Sequence, residues 1–256
     1  MTSINANSSH QELLAIAERL VEAVADSLSS REGSGMTGAR EGQYKIDVAA
    51  NEAALKVLHD AQIKVLSEES GVEAIVWPIV GDEIFAILDP LDGSTNADRG
   101  IPWYSTSVAF VDRDGVCAAM IANQANGDRF SAIRGEGAFR NGERIKVSGR
   151  TLLSECVVGL SGIPNRNPGW WQFRALGSAA LDLCLVAMGA LDAWVDCESH
   201  GVWDYAGGIL IVTEAGGVVA EVFGADLIHA DYNARRTPIA AASDRLLSDL
   251  IGFRNE

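Results

Sequence analysis

Eight consecutive residues, Asp89-Pro90-Leu91-Asp92-Gly93-Ser94-Thr95-Asn96, carry the densest chemistry in this sequence. Asp89 and Asp92 stand three positions apart at the end of an apolar run, Ile84 to Leu88, and Gly-Ser-Thr follows at once. Carboxylates are the hard oxygen ligands that Mg2+ takes, and a backbone carbonyl between them can add another. The N–H groups and hydroxyls of Gly93, Ser94 and Thr95 suit phosphoryl oxygens. Pro90 lacks an N–H and fixes its own φ, which stiffens the turn between the two aspartates. Exposed turns also collect Asp, so the pair gains meaning only from acidic residues elsewhere.

Two further places supply them. Glu68 and Glu69 close the short segment Lys64-Val65-Leu66-Ser67, and Asp204 opens an apolar helical run. Element ends are where sites are assembled. Asp204 also suits a helix N-terminus as a cap. Glu69 reads either as an orienting neighbour of Glu68 or as a solvated charge.

The elements that must position these residues follow from periodicity. Apolar residues at helical spacing predict a helix over Glu12 to Leu28 and a second from about Val48 to His59. Between them, Arg31 to Gly42 is rich in Gly, Arg, Glu and Ser and reads as a mobile loop able to close over a site. Lys64 to Leu66 is a short strand. Ser105 to Val111 and Val116 to Ala122 alternate as strands around the hairpin signal Asp114-Gly115. Arg129 to Ile133, Gly137 to Arg140 and Glu143 to Val147 continue the ribbon, with Asn141-Gly142 as the second hairpin turn. Cys156 to Ser161 is an apolar strand, and the Pro-containing loop Gly162 to Trp170 is the expected boundary between halves. Beyond it, Phe173 to Met188 reads as helix, Ala193 to Cys197 as strand, Trp203 to Ala215 as helix and Gly217 to Val222 as strand. Interleaved helices and strands predict a mixed α/β fold.

Composition bounds the function. The chain has 256 residues, 48% of them hydrophobic, enough for one large core; it reads as a single domain with sub-halves of about 1–150 and 151–256. A net charge of −15 opposes binding to nucleic acid or to an anionic membrane surface. An anionic substrate would then need a local positive site, which bound cations can provide. Cys117, Cys156, Cys184 and Cys197 are dispersed, without zinc spacing, and read as reduced thiols. With no apolar leader and no membrane-length run in the sequence, the expected location is the cytoplasm.

The octet resembles the metal-binding signature of the inositol monophosphatase family, and Trp203-Asp204-Tyr205-Ala206-Gly207-Gly208 with Glu214-Ala215-Gly216-Gly217 resembles its second signature. Ser67-Glu68-Glu69-Ser70 and Arg174-Ala175-Leu176-Gly177-Ser178-Ala179-Ala180 are similar to two further family segments. The resemblance implies a layered α-β-α-β-α sandwich of the inositol monophosphatase and fructose-1,6-bisphosphatase type. It implies a Mg2+-dependent phosphomonoesterase acting on a small phosphorylated metabolite, commonly a homodimer and often lithium-sensitive. Carried onto this chain, Glu68, Asp89 and the Leu91 carbonyl would hold one cation, and Asp89, Asp92 and Asp204 a second. Ser94 would orient the attacking water. Gly93, Ser94 and Thr95 would contact phosphate, while Ala179 and Asp196, or its rival Glu198, would face the leaving alcohol. His200 reads as structural or exposed.

One departure concerns a third cation. The family usually has Asp where Asn51 stands, and a neutral Asn weakens that site first; Asp47, one helical turn earlier, can substitute. Among substrates, inositol or a sugar monophosphate leads, with fructose 1,6-bisphosphate and histidinol phosphate open. Two readings from other classes use the same residues: a catalytically weakened pseudoenzyme, and a structural Ca2+ site.

Overall fold

The computed structural model describes residues 9–29, 35–37 and 44–254. The first 2 helices, α1 (His10–Ser29) and α2 (Lys45–Asp60), pack side by side. In α1, Leu13, Ile16, Ala17, Leu20, Val21 and Val24 are buried, a stripe at i, i+3, i+4 spacing that faces the core while the acidic residues face water. Helix α2 begins at Lys45, earlier than Val48, because the Asp47 carboxylate accepts the Tyr44 N–H at 2.7 Å and satisfies an amide the helix start would leave open.

An eight-stranded sheet follows: β1 (Lys64–Ser67), β2 (Gly71–Val72), β3 (Phe85–Asp92), β4 (Ser105–Asp112), β5 (Gly115–Asn123), β6 (Arg129–Ile133), β7 (Gly137–Arg140) and β8 (Glu143–Arg144). Its order is β2-β1-β3-β4-β5-β6-β7-β8, with β1 and β3 parallel and the other pairs antiparallel. A short helix, α3 (Ser94–Arg99), caps β3. The second sheet holds β9 (Val157–Ser161), β10 (Gln172–Arg174), β11 (Ala193–Asp196), β12 (Val218–Glu221) and β13 (Pro238–Ala241) in the order β10-β9-β11-β13-β12. Helices α4 (Ala179–Ala187) and α5 (Val202–Glu214) lie between the sheets, and α6 (Asp244–Arg254) covers the outer face of the second.

Three apolar layers hold this together. Leu13, Leu20 and Leu58 of the first helix pair meet Leu88, Phe110 and Met120. Ile87, Ala109 and Ile121 on the opposite face meet Leu181, Leu183, Tyr205 and Ile211. Val158, Val195 and Ile239 meet Leu246 and Leu250 of α6. The result is the expected α-β-α-β-α sandwich. Helices α4 and α5 are apolar nearly all round because a sheet lies on each side of them, which is why neither shows a strong stripe.

Strand β3 shows how the fold aims its carboxylates. Ala86 and Leu88 join the outer layer, and Phe85 and Ile87 the inner one, the period-2 alternation of a strand buried on both faces. Two aspartates three apart would then point to opposite faces. A bulge between Asp89 and Asp92 resolves this: Asp89 pairs with Ser107 and Asp92 with Ser105, so three steps on β3 match two on β4. Leu91 falls into the outer layer and both carboxylates turn to α4 and α5.

The structure departs from sequence expectation in several further places. Phe173 to Met188 is not one helix: Gln172–Arg174 is strand, and α4 starts only after Gly177, whose φ of 87° breaks helical geometry. Ser178 caps α4 by accepting the Leu181 N–H. The loop 162–170 connects β9 and β10 of one sheet, so it lies inside the second half. The strand expected over Glu143 to Val147 stops at Arg144, and β13 and α6 were not anticipated. Most of the loop Arg31 to Gly42 lies outside the described residues.

Candidate metal centre

Asp89, Asp92 and Asp204 come together, each with a ligand oxygen within 4.8 Å of the others. Asp89 and Asp92 are buried and arrive on β3; Asp204 is partly buried and arrives in the first turn of α5. The orientation of each is fixed by hydrogen bonds. Asp89 Oδ1 accepts the Leu91 N–H at 2.9 Å within the bulge. Asp92 Oδ2 accepts the Ser178 hydroxyl at 2.6 Å and the Ala180 N–H at 2.8 Å, which ties β3 to the start of α4. Ser105 extends the contact, its Oγ lying 3.3 Å from Ser178 Oγ.

Glu68 stands beside the trio at the end of β1. Its N–H donates to the Leu88 carbonyl at 3.1 Å, continuing the parallel pairing with β3. Asn51 serves that same turn: its buried Oδ1 accepts the Ser67 hydroxyl at 2.8 Å, and Ser67 Oγ accepts the Glu69 N–H at 3.3 Å. Glu69 is half-buried next to it.

This concentration of acid is electrostatically unfavourable without a counter-charge. Burial first, then the charge of Asp204, pushes Glu68 up to about 8. Burial and Asp204 push Asp92 up to about 7, and burial with Glu68 and Asp92 holds Asp89 well above the carboxylate range. Burial also raises Asp204. No Lys or Arg among the described residues forms an ion pair with the trio, although the charges of His200 and Arg235 act on Asp204, and Asp89 Oδ2 is buried with no hydrogen-bond partner among the described residues. Clustered carboxylates, a buried oxygen without a donor and an all-oxygen ligand set fit a divalent cation such as Mg2+.

The Gly93-Ser94-Thr95 turn of the octet lies directly beyond. Gly93 has φ 87° and caps α3, which begins at Ser94; Ser94 is half-buried and Thr95 exposed, with Thr95 Oγ1 3.3 Å from the Tyr44 hydroxyl. Asn96 pins the turn by donating to the Trp103 and Leu176 carbonyls, each at 2.8 Å. A Cβ at Gly93 would meet the Gly177 and Trp103 carbonyl oxygens at 3.0 Å. Gly93→Ala is expected to cost about 1–3 kcal/mol, from left-handed strain plus this contact, read as a lower melting temperature.

A cleft of about 320 Å³ opens beside Asp92 and is lined by Ser178, Ala179, Asp182, Ser161 and His200 among others. Ala179 lines this cleft. Asp196 does not: it is fully buried, and its carboxylate accepts the Glu198 N–H and His200 Nδ1, both at 2.8 Å. Glu198 is exposed, and neither carboxylate is among the residues lining the cleft. The wall there is His200, whose Nε2 is 3.2 Å from Ser161 Oγ. Burial would lower its pKa, but the hydrogen bond to Asp196 and the charges of Asp204, Asp196 and Asp92 outweigh that and raise it to about 9. Ser178, Asp182, Ser161 and His200 escaped the sequence reading as site residues; only Ser178 had a local signal, a hydroxyl just before an apolar helical run.

Fold and site together define a phosphatase of the layered mixed α/β type. A solved protein of Pyrococcus horikoshii, described as similar to inositol-1 monophosphatase, superposes with a TM-score of 0.83 at 27% identity, covering 95% of this chain and 98% of that one. The model of the inositol monophosphatase family matches residues 7–252. A fructose-1,6-bisphosphatase/inositol-1-monophosphatase of Archaeoglobus fulgidus is 36% identical over 214 residues, 80% of this chain and 81% of the relative. Human inositol monophosphatase 1 is 31% identical over 199 residues, 72% and 70% of the two chains. The chain belongs to the inositol monophosphatase family and is a phosphatase.

Proposed function

We propose that this phosphatase hydrolyses a small polyol or sugar phosphate, inositol monophosphate first among them, with Mg2+ as its cofactor. The observation that supports this reading most is the trio Asp89, Asp92 and Asp204, with Asp89 Oδ2 buried and without a hydrogen-bond partner among the described residues. In this reading Glu68, Asp89 and the Leu91 carbonyl hold one cation, and Asp89, Asp92 and Asp204 the other. When bound, such cations neutralise phosphoryl charge and lower the pKa of water. The chain's own groups do the rest. Asp89 serves both positions, Ser94 orients the attacking water, and the N–H groups of Gly93 and Ser94, with Thr95 alongside, receive phosphoryl oxygens whose charge grows in the transition state. Ala179 and the His200 wall of the cleft face the leaving alcohol.

Asn51 is committed to Ser67, so a third cation would fall to Asp47, which is buried on α2 and whose charge registers at Glu68. A second substrate reading, fructose 1,6-bisphosphate, is favoured by the name and the 36% identity of the archaeal relative. As a cytoplasmic homodimer, the protein would find an association edge at β10, where Trp171 and Phe173 are exposed. No helix among the described residues is long and apolar enough to cross a membrane.

The test is phosphate release from a panel holding inositol 1-phosphate, sugar monophosphates and fructose 1,6-bisphosphate, each with Mg2+ and with chelator. Turnover on at least one ester that chelator abolishes is expected. Turnover indifferent to chelator, or absent throughout, would remove the cation-dependent mechanism.

A further inference from the structure

The loop 226–236, between β12 and β13, fastens two ligand-bearing segments that no secondary structure joins directly. Tyr232 donates its hydroxyl to the Glu68 carbonyl at 2.8 Å, a contact across 164 residues. The same ring lies against Trp203, the residue before Asp204, with centroids 5.1 Å apart and planes inclined by 32°. Arg235 completes the stack, its guanidinium carbon 5.0 Å from the Trp203 centroid. Arg235 in turn donates to the Tyr232 carbonyl at 3.0 Å, so the guanidinium and the tyrosine are braced against each other.

The loop is anchored to the α5 side at two more points. His200 and Arg236 exchange backbone hydrogen bonds of 2.8 and 3.0 Å, and the Tyr205 hydroxyl donates to the Leu227 carbonyl at 2.8 Å. Trp203 itself has little room: it is 4% exposed, and a Cβ on Gly201 would sit 2.3 Å from its indole. The loop and the start of α5 therefore behave as one body, and Tyr232 extends that body to Glu68. Tyr232 thereby ties the end of β1, which carries Glu68, to the first turn of α5, which carries Asp204, and fixes the distance between those segments before any cation arrives.

We propose that Tyr232 is a positioning residue, which sets the spacing between Glu68 and Asp204 so that both reach the cations the site takes up. It rests on the cation-dependent reading above. Its hydroxyl donates to the backbone carbonyl of Glu68, so the effect expected of it is on cation affinity rather than on the chemical step. Partners that orient metal ligands are worth roughly 10- to 100-fold in affinity. A neutral hydrogen bond to a backbone carbonyl belongs near the low end, roughly 5- to 10-fold.

Titration calorimetry with Mn2+ on the full chain provides the test, with Tyr232→Phe and Arg235→Gln beside the parent. Tyr232→Phe keeps the ring on Trp203 and removes only the hydroxyl. We expect its Kd for Mn2+ to rise roughly 5- to 10-fold, its melting temperature without metal to stay near the parent's, and its kcat at saturating metal to be retained. Arg235→Gln loosens the stack and is expected to shift Kd in the same direction. A parent that binds Mn2+ with Tyr232→Phe binding equally well would overturn the positioning role alone. A parent that binds no divalent cation would overturn the cation-dependent reading and this role with it.

Discussion

Asp92→Asn is expected to leave a folded protein whose phosphate release falls by roughly 10³-fold, the upper range for removing one electrostatic group that acts on the transition state. The geometry separates the two effects. Asp92 Oδ2 accepts from Ser178 and Ala180, and an asparagine carbonyl oxygen can accept both of these bonds, so the tie between β3 and α4 survives. What disappears is a negative charge facing Asp89 and Asp204. Removing it relieves repulsion among buried carboxylates, so the metal-free variant should melt higher than the parent even as activity collapses. Steady-state turnover and a metal-free thermal scan check both halves. Parental turnover in the variant would remove Asp92 from the centre.

The second large effect is a stability that falls as pH rises, and that divalent cations restore. In the fold, burial and then Asp204 hold the Glu68 pKa near 8 and that of Asp92 near 7, against ordinary values of 4.5 and 3.8. A carboxyl raised in this way keeps its proton in the folded state over a range where the unfolded chain has lost it. Stability is therefore fully present below the unfolded values and is lost as pH rises through the folded ones. Each retained proton gives a slope of about −1.4 kcal/mol per pH unit. Repulsion couples the groups, so they lose their protons in shared steps rather than one by one. Between about pH 5 and pH 8 the metal-free melting temperature should drop, by about 2–4 °C for each kcal/mol lost in a chain of this size. A divalent cation held by these carboxylates needs their ionised form, so with Mg2+ as the proposed cofactor the stabilisation is expected to grow with pH and to reach about 2.7 kcal/mol at a hundredfold excess over Kd. Scans at several pH values, with chelator or with Mg2+, measure both; a metal-free profile that rises toward pH 8 would contradict the crowding of charge described here.

The carboxylate trio was legible because its members sit at the ends of elements that announce themselves locally. Ile84 to Leu88 marks a strand, and the run after Trp203 marks a helix, so Asp89, Asp92 and Asp204 could be recognised as terminal acids before any coordinates. The bulge could not be recognised. It arises from pairing with β4, and nothing in Asp-Pro-Leu-Asp says that three residues will match two. The helix expected from Phe173 failed for a related reason. Its apolar residues match helical spacing, but Gln172–Arg174 pairs with β9, and the pairing wins over local preference. Asp196 had the right type and the right neighbourhood; its commitment to His200 is a contact within the folded turn that spacing does not encode. The fastening of Glu68 by Tyr232 is more remote still, since it joins the first sheet to a loop near the chain's end.

The bond from Ser178 to Asp92 also bears on how the protein gains its activity during folding. Asp92 and Ser178 lie 86 residues apart, and Asp204 joins them from a third element. Closure of such distant contacts is slow and comes late, because long loops must be ordered before the contact rewards them. A chain arrested with only its first sheet formed would carry Glu68, Asp89 and Asp92 without the helix that orients Asp92 and without Asp204. On the function proposed above, cation binding would be a property of the completed sandwich, and its appearance during refolding would time the docking of the two sheets.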